Sequence, residues 1–172
     1  VYKRQVLGGV EWFLESKAKE VRAVIAVGDN RVRRKIAEKV ATYGARFCNI
    51  VHPSVIMTPH VKLGTGVIIA AGCIFTNNIT IGDHVIINLD VTVGHDTEIE
   101  SYVNLNPGVH INGNNKIEEG AYIGSGAVTI QNIRVGRWSV VGAGAVVVRD
   151  IPERVVAVGV PAKPIKSIEE DE

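Results

Sequence analysis

The sequence predicts a mainly β protein. A parallel β-helix over residues 54–150 follows a short, incomplete α/β segment over 1–53 and precedes a C-terminal extension over 151–172. Three observations predict it. Apolar residues recur every six positions from Met57 to Val147 without a gap, and Thr129 alone breaks the series. An α-helix repeats every 3.6 residues, and an ordinary amphipathic strand alternates and then turns back, so neither gives a strict six. Glycine often follows the periodic residue, at Gly64, Gly82, Gly94, Gly124, Gly136 and Gly142, as a tight corner would ask.

In chain order, residues 10–20, "VEWFLESKAKE", read as helical. "VRAVIAVGD" (21–29) reads as a buried strand. "NRVRRKIAEKVATYG" (30–44) reads as a helix, capped by Asp29 or Asn30 and stopped by Gly44. "ARFCNIVHP" (45–53) reads as a further strand, which completes part of a βαβ unit. From residue 55 the period takes over, with one flat face per hexapeptide. The residue two before each periodic position is small or aliphatic from Val55 to Val91. It then reads Thr97, Val103 and Val109, and continues less well from Asn115 through Ser139 to Ala145. Three faces make a coil of about 18 residues, so the run gives slightly more than five coils and a prism on the order of 25 Å long. The tail "GVPAKPIKSIEEDE" leaves the repeat with two prolines and a charged end.

Composition narrows the function. The apolar share is 46%, but aromatics are only 5%, so the core is aliphatic. A net charge of +1 gives no case for nucleic acid or an acidic membrane surface. Cys48 and Cys73 are too few for a disulfide framework and both read as core. The apolar runs are far too short to span a bilayer, and the N-terminus lacks the long apolar segment of a signal peptide. A soluble, cytoplasmic protein is the expectation.

Packing claims the inward positions, so chemistry must use outward positions, corners or seams. His60, His84, His95 and His110 all fall outward in this register. A lone outward histidine in a repeat is usually solvated. His95 differs in having Asp96 beside it and Asn77 and Gly113 one coil before and after. A carboxylate beside an imidazole holds its tautomer and stabilises its charged form, as a general base requires. Adjacent strand residues point to opposite faces, so the two can pair only if the corner bends the chain. Zinc is the rival use. Zinc hydratases of this architecture carry two of three histidine ligands five apart, and no two histidines here have that spacing, so no metal is expected. Arg31, Arg33 and Arg34 read as a solvated helix face.

"TNNITIGDHVIINLDVTVGHDTEIE" (76–100), "VNLNPGVHING" (103–113) and "VVGAGAVVVRDIPERVVAVGVPAKPIK" (140–166) together resemble the sugar O/N-acyltransferases of the sialic acid and bacillosamine biosynthesis type. "IAVGDNRVRRKIAEKV" (25–40) and "NIVHPS" (49–54) resemble the end of that family's N-terminal domain. The resemblance covers roughly residues 6–166. It implies a left-handed β-helix, a homotrimer, acetyl-CoA as co-substrate and a sugar or nucleotide-sugar acceptor. By the same resemblance His95 is the base and Asp96 the acid that raises its basicity. Asn104, Gly113, Ser125 and Ala143 are the positions that meet acetyl-CoA, Gly113 through its backbone amide. Gly28, Asp29 and Asn30 are the loop that meets the sugar nucleotide, although simple helix capping explains them as well. The family's Gly-rich first loop has no counterpart in residues 1–20. That predicts weak acceptor binding and normal acetyl-CoA binding by residues 1–172. A serine acetyltransferase, a zinc hydratase and a non-catalytic trimeric scaffold stay open as alternatives.

Overall fold

The computed structural model describes residues 8–14 and 21–169. A parallel β-helix fills most of them. Its strands are two to five residues long, most of them two, and form three sheets of eight, six and five strands, one for each face of a prism. The first face runs from Ile50–Val51 to Val155–Val158, the second from Ile56–Met57 to Val146–Val147, and the third from Val61–Leu63 to Arg134–Val135. Partners lie 18 residues apart throughout, from Ile50↔Ile68 to Val128↔Val146. No loop interrupts the coils between residues 55 and 148.

The six-residue period is the inward column. Ile69, Phe75, Ile81, Ile87, Val93, Ile99 and Leu105 are at most 1% exposed, and the column continues buried to Val147. Val and Ile suit these positions because branching at Cβ favours an extended backbone and fills the pleat. Each such side chain contributes about 1.5–3 kcal/mol by leaving water.

The corners work differently from the expectation. Every sixth residue from Gly66 to Gly144 has a positive φ, and eight of these are not glycine: Asn78, His84, Asp90, Asp96, Tyr102, Asn114, Asn132 and Trp138. The glycines that follow the periodic residues serve close approach instead. A Cβ on Gly94 would lie 2.5 Å from Gly113 N and 2.7 Å from Asn112 C, backbone atoms of the next coil.

The N-terminal unit is small. Strand β1 (Arg22–Ala23) pairs in parallel with β2 (Arg46–Phe47), and α1 (Asn30–Thr42) lies between them in sequence. Asp29 is the N-cap and accepts from Val32 N at 2.8 Å. Only Val10–Leu14 of the helix expected over 10–20 is described, and it is a 3-10 turn; residues 15–20 lie outside the described residues. The strand expected over 45–53 divides. Arg46–Phe47 belongs to this unit, while Ile50–Val51 opens the first face of the β-helix. Cys48 is accordingly only half-buried, whereas Cys73 is core.

The unit is fastened to the prism by a buried arginine, not by a solvated helix face. Arg33 is 0% exposed. Its guanidinium donates to the carbonyls of His84 (2.9 Å), Val27 (2.7 Å) and Tyr102 (2.8 Å) and to Asn104 Oδ1 (2.8 Å). None of these acceptors is a carboxylate, and burial pushes the group down to about 10. His84, though outward from the prism, is only 5% exposed. It stacks on Tyr102 at 5.4 Å and meets the edge of Phe47 at 4.5 Å. The C-terminal extension is more than a tail. Val155–Val158 adds a parallel strand to the first face, and Lys163–Ser167 returns antiparallel to close it.

Candidate active site

His95 and Asp96 sit on the corner between the second and third faces. Asp96 has φ +58, a left-handed conformation that Asp tolerates better than most residues. This bend swings its side chain round to the same side as His95, and His95 Nδ1 lies 2.7 Å from Asp96 Oδ2. The other carboxylate oxygen accepts from Asn78 Nδ2 at 2.6 Å, one coil earlier. Together Asn78 and His95 hold the Asp96 carboxyl below its usual range. The carboxylate therefore stays ionised and acceptor-only, which puts the histidine proton on Nδ1 and leaves Nε2 as the free base nitrogen.

The imidazole lies over Gly113, one coil on. A Cβ there would fall 2.6 Å from Nε2 and 2.8 Å from Cε1, so the ring occupies the space that glycine leaves. No acceptor among the described residues takes the Gly113 N–H. A groove of about 650 Å³ opens here, lined by Ile74, Thr92, His95, Asn112, Gly113 and Gln131 among others. A base nitrogen and an unengaged backbone donor thus share one open groove.

The remaining sequence-nominated residues stand elsewhere. Ser125 and Ala143 are exposed on the corner between the first and second faces, in register with each other. Gly28, Asp29 and Asn30 border a cavity of about 200 Å³ against Gly120, Tyr122 and Trp138, on the corner between the third and first faces. Asp29 is committed to capping, and Asn30, 8% exposed, donates to Gly120 O at 2.9 Å. Asn104 does not fit the place expected of it. It is 3% exposed, donates to Gly28 O at 2.6 Å and accepts from Arg33, so it offers no free surface to a cofactor. The resemblance alone nominates it; the docking of the N-terminal unit over the first face, which covers it, leaves no mark in the repeat.

Of the other histidines, His110 is outward on the second face with Nδ1 2.8 Å from Thr92 Oγ1. His60 is exposed on a corner. No group of three or more metal-ligating side chains occurs among the described residues. No described helix is long and apolar enough to cross a membrane.

No known protein-family profile matches the chain. UDP-N-acetylbacillosamine N-acetyltransferase of Bacillus subtilis is 40% identical over 73 residues, a match that spans 37% of this chain and 34% of that protein. The perosamine N-acetyltransferase of Caulobacter crescentus, solved as a histidine-to-asparagine variant with CoA and GDP-perosamine, superposes with a TM-score of 0.83 at 39% identity, over 85% of this chain and 70% of that one. The acetyltransferase domain of PglB from Neisseria gonorrhoeae, solved with acetyl-CoA, gives 0.90 at 36% identity, over 96% of this chain and 80% of that domain.

Proposed function

The chain belongs to the sugar acetyltransferases of the hexapeptide-repeat superfamily, and on that premise we propose that it moves an acetyl group from acetyl-CoA to an amino group of a nucleotide-linked sugar, with His95 as general base. The observation that carries the reading is the His95–Asp96 pair set over Gly113 in an open groove. Acetyl-CoA supplies the activated acyl group. His95 Nε2 takes one proton from the acceptor nitrogen as its lone pair bonds to the thioester carbon. Asp96 holds Nδ1–H and stabilises the imidazolium that results. The Gly113 N–H donates to the carbonyl oxygen as it gains charge. When the C–S bond breaks, His95 returns the proton to sulfur, leaving an acetamide and the CoA thiol.

The three sets of residues lie on three different corners, so one prism does not bring them together. The proposal is therefore a homotrimer, in which the donor-arm corner of one copy, with Ser125 and Ala143, faces the His95 corner of the next. The outward column of the second face supports this assembly. It reads Ile56, Ile74, Thr92, His110, Val128, Val146, with Ile56 63% and Ile74 41% exposed. The third face instead carries ion pairs, Lys116 with Glu98 and Glu100, and Arg134 with Glu118. Apolar surface of this kind marks an interface, and charged surface marks solvent. Gly28, Asp29 and Asn30 are proposed to meet the nucleotide beside Trp138, which Arg31 and Arg34 approach to 6.0 and 5.7 Å.

The test is thiol release from acetyl-CoA in the presence of GDP-perosamine and a panel of UDP-linked amino sugars, with light scattering on the same sample. Acceptor-dependent release by a trimer is expected. Release that is the same with and without every acceptor contradicts the transferase reading, and a monomer in the presence of CoA contradicts the shared site.

A further inference from the structure

Three of the four polar side chains that interrupt the aliphatic interior lie together behind the His95 corner; the fourth, Ser139, stands apart and donates to Gly136 O. Thr97, Asn115 and Thr129 are 2%, 2% and 0% exposed. Asn115 Nδ2 donates to Thr129 Oγ1 at 2.7 Å, Asn112 O at 2.8 Å and Ile130 O at 3.0 Å, and its Oδ1 accepts from Ile133 N. Thr129 Oγ1 also accepts from Asn112 N at 3.2 Å. The Thr97 hydroxyl reaches Asn112 O at 3.3 Å. Both backbone groups of Asn112 are thus held by side chains from inside the prism. One coil before and one coil after, the matching amides of Gly94 and Ile130 donate instead to the carbonyls of Ile111 and Val147, at 2.7 and 3.0 Å.

The Asn112 carbonyl and the Gly113 N–H belong to one planar peptide, so fixing the first aims the second. On its other side this peptide rests against Gly94, where even a Cβ would not fit. Polar groups in such an interior cost desolvation that aliphatic ones avoid, and the neighbouring coils carry Ile111, Val147 and Ile133 in the same columns. The polar cluster therefore adds nothing that packing alone requires.

We infer that Thr129 and Asn115 are positioning residues for acetyl transfer: they hold the Asn112–Gly113 peptide so that the Gly113 N–H points where the oxyanion forms. This rests on the reading of His95 and Gly113 given above. Donors of this kind act through pre-set geometry, so a misaimed amide loses transition-state stabilisation with little change in ground-state binding.

The experiment compares Thr129→Val with Thr129→Ser, assayed with acetyl-CoA and GDP-perosamine or whichever UDP-linked amino sugar turns over. Thr129→Val should lower kcat about 10-fold, a fraction of what losing an oxyanion donor outright costs. The KM for acetyl-CoA should stay within about twofold and the pH profile should be unmoved, because the ground-state contacts and His95 are untouched. Thr129→Ser keeps the hydroxyl and should restore kcat to within about twofold of the parent. If the valine variant does not fold, Thr129→Cys, with its weaker acceptor, replaces it and must fall below serine. Wild-type kcat in the valine or cysteine variant, or an equal loss in serine, overturns the inference. His95→Ala run alongside separates the two claims: full activity there sinks the underlying reading, whereas loss there with normal Thr129→Val sinks only this one.

Discussion

Replacing Gly113 with alanine tests the active-site geometry with a single methyl group. Gly113 does not occupy the left-handed region, so its backbone accepts alanine. The added Cβ would stand 2.6 Å from His95 Nε2, 2.8 Å from Cε1 and 3.0 Å from Cδ2. Ordinary van der Waals contact begins at about 3.4 Å, so the ring must retreat by about 0.8 Å. The His95 side chain is 66% exposed and free to swing outward. The fold should therefore tolerate the change within about 0.5 kcal/mol, as for surface positions generally. Swinging outward costs the ring its 2.7 Å contact with Asp96 and displaces the base nitrogen from the acceptor. A misplacement near 1 Å costs roughly 10²-fold in turnover. Steady-state thiol release should show a kcat lower by about that factor, with the thermal midpoint unchanged. In a His95→Ala background the clash is gone, and alanine at Gly113 should cost far less. Wild-type turnover by Gly113→Ala would refute the claim that His95 works from above this residue.

Three further outcomes follow from other parts of the molecule. Arg33→Ala leaves several buried carbonyls without a donor, and a buried acceptor left unsatisfied costs about 1–3 kcal/mol; hydrogen exchange should show α1 and β2 losing protection while the coils keep theirs, and uniform protection would refute the pin. Burial holds His84 below its ordinary value of 6.5. The unfolded chain thus takes up that proton first, and stability should be full above about 6.5 and fall as pH drops through the folded value; a thermal midpoint flat from pH 7 to 5, or one equally sloped in His84→Phe, would contradict this. The depressed carboxylates of Asp96 and Glu118 lose their contribution only at lower pH. Ile56→Glu with Ile74→Glu should give a folded monomer by light scattering, and an intact trimer would move the interface off the second face.

The coil geometry was legible because one physical demand, burial of an aliphatic residue every six positions, dominates from Met57 to Val147. The corners were not. Their left-handed positions repeat just as strictly, but Asn, Asp, His, Tyr, Trp and Gly all fill them, so no residue type marks the series. Whether His95 and Asp96 touch depended on that hidden feature at Asp96. The docking of the N-terminal unit was equally silent. Arg33 looks like any helix-surface arginine and His84 like any outward histidine, and the docking of the N-terminal unit, through α1 and Phe47 of β2, buries them. In sequence Thr129 reads as the one break in the six-residue column and Thr97 and Asn115 as polar members of the column two before it; in three dimensions they converge behind a single peptide.

The central claim is that His95, and no other histidine, is the base for acetyl transfer. The most direct measurement is kcat of His95→Ala beside His84→Ala and His60→Ala, by thiol release with acetyl-CoA and the best amino-sugar acceptor. His95→Ala should lose roughly 10²–10⁴ in turnover, the range for removing a general base, with its thermal midpoint unchanged and the other two variants turning over nearly as the parent. A His84→Ala or His60→Ala loss larger than that of His95→Ala would contradict the claim.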